Sequence, residues 1–100
     1  MPKVCIIGGG ISGLAHAWQL QNAGHAVTLL ETQARVGGAI DSIQSDGFLA
    51  ETGPNSIQVN SHSVEQFLQS VPGPSERILE AKPEAKKRFI VRNGQVHAVP

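Results

Sequence analysis

Tyrosine is absent from this 100-residue sequence, and the aromatics amount to three Phe and one Trp. Any core must therefore be aliphatic. An excess of one charge is also lacking, since eight Lys and Arg balance eight Asp and Glu. With no basic surplus to release counterions from a phosphate backbone, non-specific DNA or RNA binding is excluded. There is no run of about 18 apolar residues, so no transmembrane helix is expected. The opening Met1-Pro2-Lys3-Val4-Cys5-Ile6-Ile7 is too short an apolar run for a secretory signal. Cys5 is the single cysteine, which excludes an intrachain disulfide and a cysteine-built metal centre. Charged residues are scarce at 16%, against about 25% in typical soluble domains. Part of the surface is therefore expected to be covered by further protein. A cytoplasmic setting follows as the default, with peripheral membrane association left open.

What is present begins with a β-α-β pattern. Val4 to Ile7 is a short continuous apolar run, expected as a strand buried on both faces of a parallel sheet. Three glycines end it. A helix fits Ile11 to Ala23, with Ile11, Leu14, Ala15 and Trp18 on one face. Gly24 stands where a helix-terminating glycine belongs. Ala26 to Leu30 is the second buried strand, and Glu31 follows at its C-terminal end. Short strands are expected at Ile40 to Gln44 and Phe48 to Ala50, around an Asp46-Gly47 turn. A helix over Ser63 to Val71 would put Val64, Phe67, Leu68 and Val71 on one face, stopped by Pro72-Gly73-Pro74. Asn93-Gly94 fits a type I′ turn and pairs Arg92 with Gln95, Val91 with Val96 and Phe89 with Ala98.

The chemistry concentrates in the first third. Gly8-x-Gly10-x-x-Gly13 lies between an expected strand and an expected helix, the context that gives this pattern its meaning. Gly8 permits the tight turn, Gly10 lets a diphosphate approach the backbone, and Gly13 lets the helix pack close. The N–H groups of Ile11, Ser12 and Gly13 would face the ligand, favoured by the helix dipole. Glu31, 23 residues after Gly8, is placed to accept hydrogen bonds from an adenosine ribose and to repel a 2′-phosphate, which argues against NADP.

The glycine loop alone does not separate NAD from FAD. Downstream, Arg35 can reach back toward the phosphates, and Gly37-Gly38 lets the chain cross close to the cofactor. Together the two segments resemble the FAD signature of the flavin amine oxidase superfamily. Asp46-Gly47-Phe48-Leu49-Ala50-Glu51-Thr52-Gly53-Pro54-Asn55-Ser56 is similar to a stretch of the protoporphyrinogen and coproporphyrinogen oxidases. So is the closing segment from Lys86 to Pro100. The resemblance implies an α/β fold, the N-terminal part of a Rossmann-like FAD/NAD(P)-binding domain, incomplete on its own. It implies non-covalent FAD and an oxidase that converts a porphyrinogen to the porphyrin in haem synthesis, with O₂ reoxidising the flavin.

By that resemblance Gly8, Gly9, Gly10, Ile11, Ser12 and Gly13 hold the pyrophosphate, and Glu31 takes the ribose. Arg35, Gly37, Gly38 and Ala39 line the second crossing, and Gly53, Pro54, Asn55 and Ser56 lie near the flavin end. Ala39 departs from a pattern in which Arg, Lys or an aromatic is common, which removes a side-chain contact but not a backbone one. Residues 1–100 are expected to be the N-terminal portion of an FAD-binding domain, inactive alone, with the substrate domain and the C-terminal flavin segment absent. An amine oxidase, a phytoene desaturase, or a truncated module that binds a dinucleotide without catalysis are the alternatives. No catalytic side chain and no metal ligand is expected. His16, His25, His62 and His97 lack ligand spacing and read as surface. Cys5 reads as a buried, inert thiol, and Lys86-Lys87-Arg88 as a solvated start to a strand.

Overall fold

The computed structural model describes residues 2–73 and 78–99. The chain divides into two compact units, Met1–Gln58 and Val59–Pro100. In the first unit β1 (Lys3–Ile7), α1 (Ile11–Asn22) and β2 (Ala26–Leu30) form the expected crossover. β1 and β2 pair in parallel, Lys3 opposite Ala26 through Ile7 opposite Leu30. α1 ends in a Schellman motif. Gly24 sits at φ 91°, its N–H donates to Gln21 O at 3.0 Å, and His25 N–H donates to Leu20 O at 3.0 Å.

The strands are not buried on both faces. Val4, Ile6, Val27 and Leu29 are half-buried, while Lys3, Cys5, Ile7, Ala26, Thr28 and Leu30 are exposed. The half-buried face is the one that carries α1, since the Cβ position of Gly13 lies 3.5 Å from Ile6 Cγ2. One helix covers one face of a two-stranded sheet, and within this unit no second layer of described residues stands on the other. Cys5 is therefore exposed rather than buried, and Ile7 is 87% exposed. No apolar residue among those described is fully buried.

β3 (Ser42–Ser45) and β4 (Phe48–Glu51) form an antiparallel hairpin. The first starts two residues later than expected because Ile40 and Asp41 belong to the preceding loop. Asp46 and Gly47 turn with φ 51° and 80°. His25 departs from the surface reading: it is half-buried, and its Nδ1 is buried without a hydrogen-bond partner.

The second unit holds α2 (His62–Ser70), a 3₁₀ turn at Pro83–Lys86, and the hairpin β5 (Arg88–Arg92) and β6 (Gln95–Val99). α2 starts one residue early because Ser61 caps it, its Oγ accepting from Val64 N–H at 3.3 Å. Val64, Phe67, Leu68 and Val71 are half-buried, as their shared face implies. Of the expected stop signal, Pro74 lies outside the described residues. The 3₁₀ turn, begun by Pro83, had no counterpart in the sequence reading. The register of the second hairpin is the expected one, Arg92 opposite Gln95 and Phe89 opposite Ala98. Asn93 and Gly94 turn at φ 52° and 73°. No described helix is long and apolar enough to cross a membrane.

Candidate functional site

The glycines between β1 and α1 fall into different physical roles. Gly8, at φ 102°, bends the chain out of β1, and its N–H donates to Leu30 O at 2.8 Å. That bond ties the loop to the end of β2. A Cβ on Gly13 would land on the Gly8 carbonyl oxygen, so only glycine lets α1 settle this close. Gly10 differs. Its φ of −74° and ψ of −175° suit any residue, and a Cβ there would meet no heavy atom within 4 Å. The protein's own packing does not require glycine at position 10; the open space beside it is a cradle that a side chain would fill.

α1 begins at this cradle without a cap. Gly10 is its N-cap, no side chain bonds the first turn, and no acidic residue lies in that turn. Leu14 N–H returns to Gly10 O at 3.0 Å, closing the first turn. The earlier N–H groups of Ile11, Ser12 and Gly13 are left at the positive end of the helix, an arrangement that favours an anion.

Glu31 stands directly behind the loop. Gly9 is buried, and its Cβ position lies 3.4 Å from Glu31 Cβ, 3.1 Å from Val36 Cγ1 and 3.2 Å from Leu29 Cδ2. Glu31 is half-buried, and no described group pairs with its carboxylate. The carboxylate is thus left with its acceptor capacity for a ligand.

The chain then crosses the glycine loop a second time. Gly37 N–H donates to Gly9 O at 2.7 Å, and the Cβ position of Gly38 is 3.3 Å from Gly10 Cα. Both glycines have positive φ, 118° and 60°. Arg35 does not extend toward the cradle. Its Nη1 donates to Val36 O at 3.2 Å and Ile40 O at 3.3 Å, and its Nη2 to Gly38 O at 2.8 Å. Its Nε lies 3.4 Å from Asp41 Oδ2. A local ring of carbonyls, closed by an acid six residues on, captures the guanidinium. Sequence reasoning missed that partner, although Asp41 was visible beside the loop.

The segment after β4 meets the same loop. A Cβ on Gly53 would collide with the Ala39 carbonyl oxygen, and Thr52 N–H donates to Asp41 O at 3.0 Å. The result is a cleft of about 440 Å³, within the size range of ligand pockets. Ile7, Gly8 and Gly10 form one wall and Ile11, Ser12 and Gly13 another, while Gly37, Ala39, Ile40 and Pro54 close it. Gly9, Glu31, Arg35, Gly38 and Gly53 support these walls without lining them, and Asn55 and Ser56 are exposed away from the lining. Ile7 and Ile40 were not singled out from sequence. Ile7 had a positional signal as the last strand residue before the glycines; Ile40 had none.

Strand, glycine loop, uncapped helix, second strand and terminal carboxylate together define a dinucleotide-binding fold. The model of the NAD(P)-binding Rossmann-like domain family matches residues 6–71, and the chain belongs to that family. It is similar to protoporphyrinogen oxidase 2 of Arabidopsis thaliana, 36% identical over 92 residues, covering 92% of this chain and 18% of that protein. It is also similar to coproporphyrinogen III oxidase of Bacillus subtilis, 38% identical over 74 residues, covering 68% of this chain and 16% of the relative. An L-amino-acid oxidase and 4,4'-diapophytoene desaturases are related over shorter stretches. Among solved structures a triple mutant of putrescine oxidase superimposes with a TM-score of 0.62 at 23% identity, covering 99% of this chain and 21% of that one. That likeness concerns the fold alone. The chain spans under a fifth of the length of the curated relatives first matched.

Proposed function

We propose that this chain holds the ADP half of FAD in a flavoenzyme that oxidises a porphyrinogen, protoporphyrinogen IX or coproporphyrinogen III, to the porphyrin. The observation that carries the dinucleotide part of the reading is the open cradle at Gly10, at the uncapped start of α1, with Glu31 packed against Gly9 behind the loop. The N–H groups of Ile11, Ser12 and Gly13 bind the diphosphate. Glu31 accepts hydrogen bonds from the ribose hydroxyls, and its charge disfavours the 2′-phosphate of NADP. FAD is favoured over NAD by the resemblance of the glycine loop, taken with Glu31, Arg35, Gly37 and Gly38, to the signature of the flavin amine oxidases, since both dinucleotides carry the diphosphate that the loop would hold. FAD, when bound, supplies the redox chemistry; the chain's own residues bind and orient it.

The porphyrinogen assignment rests on the similarity to protoporphyrinogen oxidases over nearly the whole chain, the closing segment included, and to a coproporphyrinogen oxidase over 68% of it. The reading takes O₂ as electron acceptor, the cytoplasm as setting with peripheral membrane association left open, and polypeptide outside this chain as the source of the substrate pocket. Amine and carotenoid oxidation is the second reading, favoured by the related L-amino-acid oxidase and desaturases. The test is to incubate the full-length flavoprotein aerobically with each porphyrinogen, an amine panel and phytoene. Porphyrin fluorescence that rises only with enzyme and porphyrinogen supports the proposal. Turnover of an amine or a carotenoid without porphyrin formation replaces it with the second reading.

A further inference from the structure

We infer that Arg35 is a positioning residue for the dinucleotide, bracing the loop that closes the cleft rather than touching the diphosphate; the inference rests on the dinucleotide reading above. The guanidinium sits inside the turn it organises. Its two terminal nitrogens donate to the carbonyls of Val36, Gly38 and Ile40, and its Nε faces the Asp41 carboxylate. Two consecutive residues with positive φ, Gly37 and Gly38, turn this backbone into a ring around the cation. The side chain stays 43% exposed, but its nitrogens lie against the turn: a Cβ on Gly37 would stand 3.1 Å from Arg35 Nη1 and 2.9 Å from Ile40 O.

The braced loop is fastened on both sides. Gly37 N–H holds it to Gly9 O at 2.7 Å, Ile40 N–H closes it on Gly37 O at 3.0 Å, and Asp41 O receives Thr52 N–H at 3.0 Å. Gly37, Ala39 and Ile40 are walls of the cleft. The cation therefore sets where those walls stand. Without it, the Val36, Gly38 and Ile40 carbonyls would lose their shared donor, and Asp41 would be left uncompensated beside a site for an anion. A planar fork is needed to span the carbonyls, and a single ammonium cannot reproduce it.

The experiment uses the full-length protein with FAD removed and then restored. Arg35→Gln should speed hydrogen exchange at the Gly37 and Ile40 amides by about tenfold or more in the FAD-free protein, and weaken FAD binding by about tenfold. Arg35→Lys should resemble Arg35→Gln in both readouts, because the fork rather than the charge is required. Asp41→Asn should weaken FAD in the same direction, and the double variant should be no worse than Arg35→Gln, because the two residues act as one brace. A diphosphate ligand would behave otherwise. Arg35→Lys would then keep most of the affinity, Asp41→Asn would tighten FAD, and exchange in the FAD-free protein would not change; any of these overturns the inference. Faster exchange with unaltered FAD affinity also overturns it, since the loop would then have no bearing on the ligand. A wild-type protein that takes up no FAD defeats the underlying reading, which the exchange result in the FAD-free protein distinguishes from failure of the brace.

Discussion

Gly10 and Gly13 belong to one motif but should respond to substitution in opposite ways. At Gly10 the backbone conformation is open to any residue, and the Cβ position is empty. Gly10→Ser should cap α1, worth a few tenths of a kcal/mol over glycine, and narrow the unfolded ensemble, worth about 0.4–1 kcal/mol. The FAD-free variant is thus expected to be more stable by roughly 0.7–1.3 kcal/mol. The same side chain fills the cradle and competes for the first-turn N–H groups. Losing two charge-assisted hydrogen bonds at about 1.5 kcal/mol each raises the FAD Kd on the order of 100-fold, and the bulkier Gly10→Val should abolish binding. At Gly13 the added Cβ collides with the Gly8 carbonyl oxygen, so α1 must shift. Overpacking of this kind costs about 1–3 kcal/mol, and Gly13→Ala should lose stability even without FAD. Denaturant unfolding of the FAD-free proteins and fluorescence titration with FAD give the two readouts. Wild-type FAD affinity in Gly10→Val, or wild-type stability in Gly13→Ala, would refute the reasoning.

Two further outcomes follow from the same geometry. Glu31→Ala should weaken FAD binding more than Glu31→Gln, since the amide retains an acceptor for the ribose hydroxyls while Ala retains none; equal flavin content in all three proteins would remove Glu31 from the site. The isolated Met1–Pro100 chain should aggregate or melt without cooperativity, because no described apolar residue is fully buried and the open face of the β1–β2 sheet carries Cys5, Ile7 and Leu30. A cooperative melt of that chain, raised several degrees by micromolar FAD, would contradict this.

The local elements were legible in the sequence because their signals are local. Gly8, Gly10 and Gly13 mark a strand-to-helix turn by spacing, Gly24 marks the end of α1, and Asn93-Gly94 sets both the turn and the register of β5 with β6. The double burial expected of β1 and β2 was not realised, because an unbroken apolar run reports what a strand is suited to pack against, not which layers are present around it. Cys5 followed that error to the exposed face. His25 went the other way, since its burial comes from the chain reversal after α1 rather than from any periodicity. Arg35 showed the limit most clearly. Its spacing from Glu31 suggested a reach toward the phosphates, but its capture depends on three carbonyls turned inward by Gly37 and Gly38, and carbonyl directions carry no residue letter. Ile40 entered the cleft wall for the same reason.

The central claim, that the cradle at Gly10 belongs to a flavin dinucleotide, is tested most directly by the absorbance spectrum of the purified full-length protein, recorded before and after denaturation. The account predicts the two visible bands of oxidised flavin, with FAD released intact on unfolding because it is held without a covalent bond. A colourless protein that also fails to take up added FAD, or one that binds NAD in its place, would contradict it.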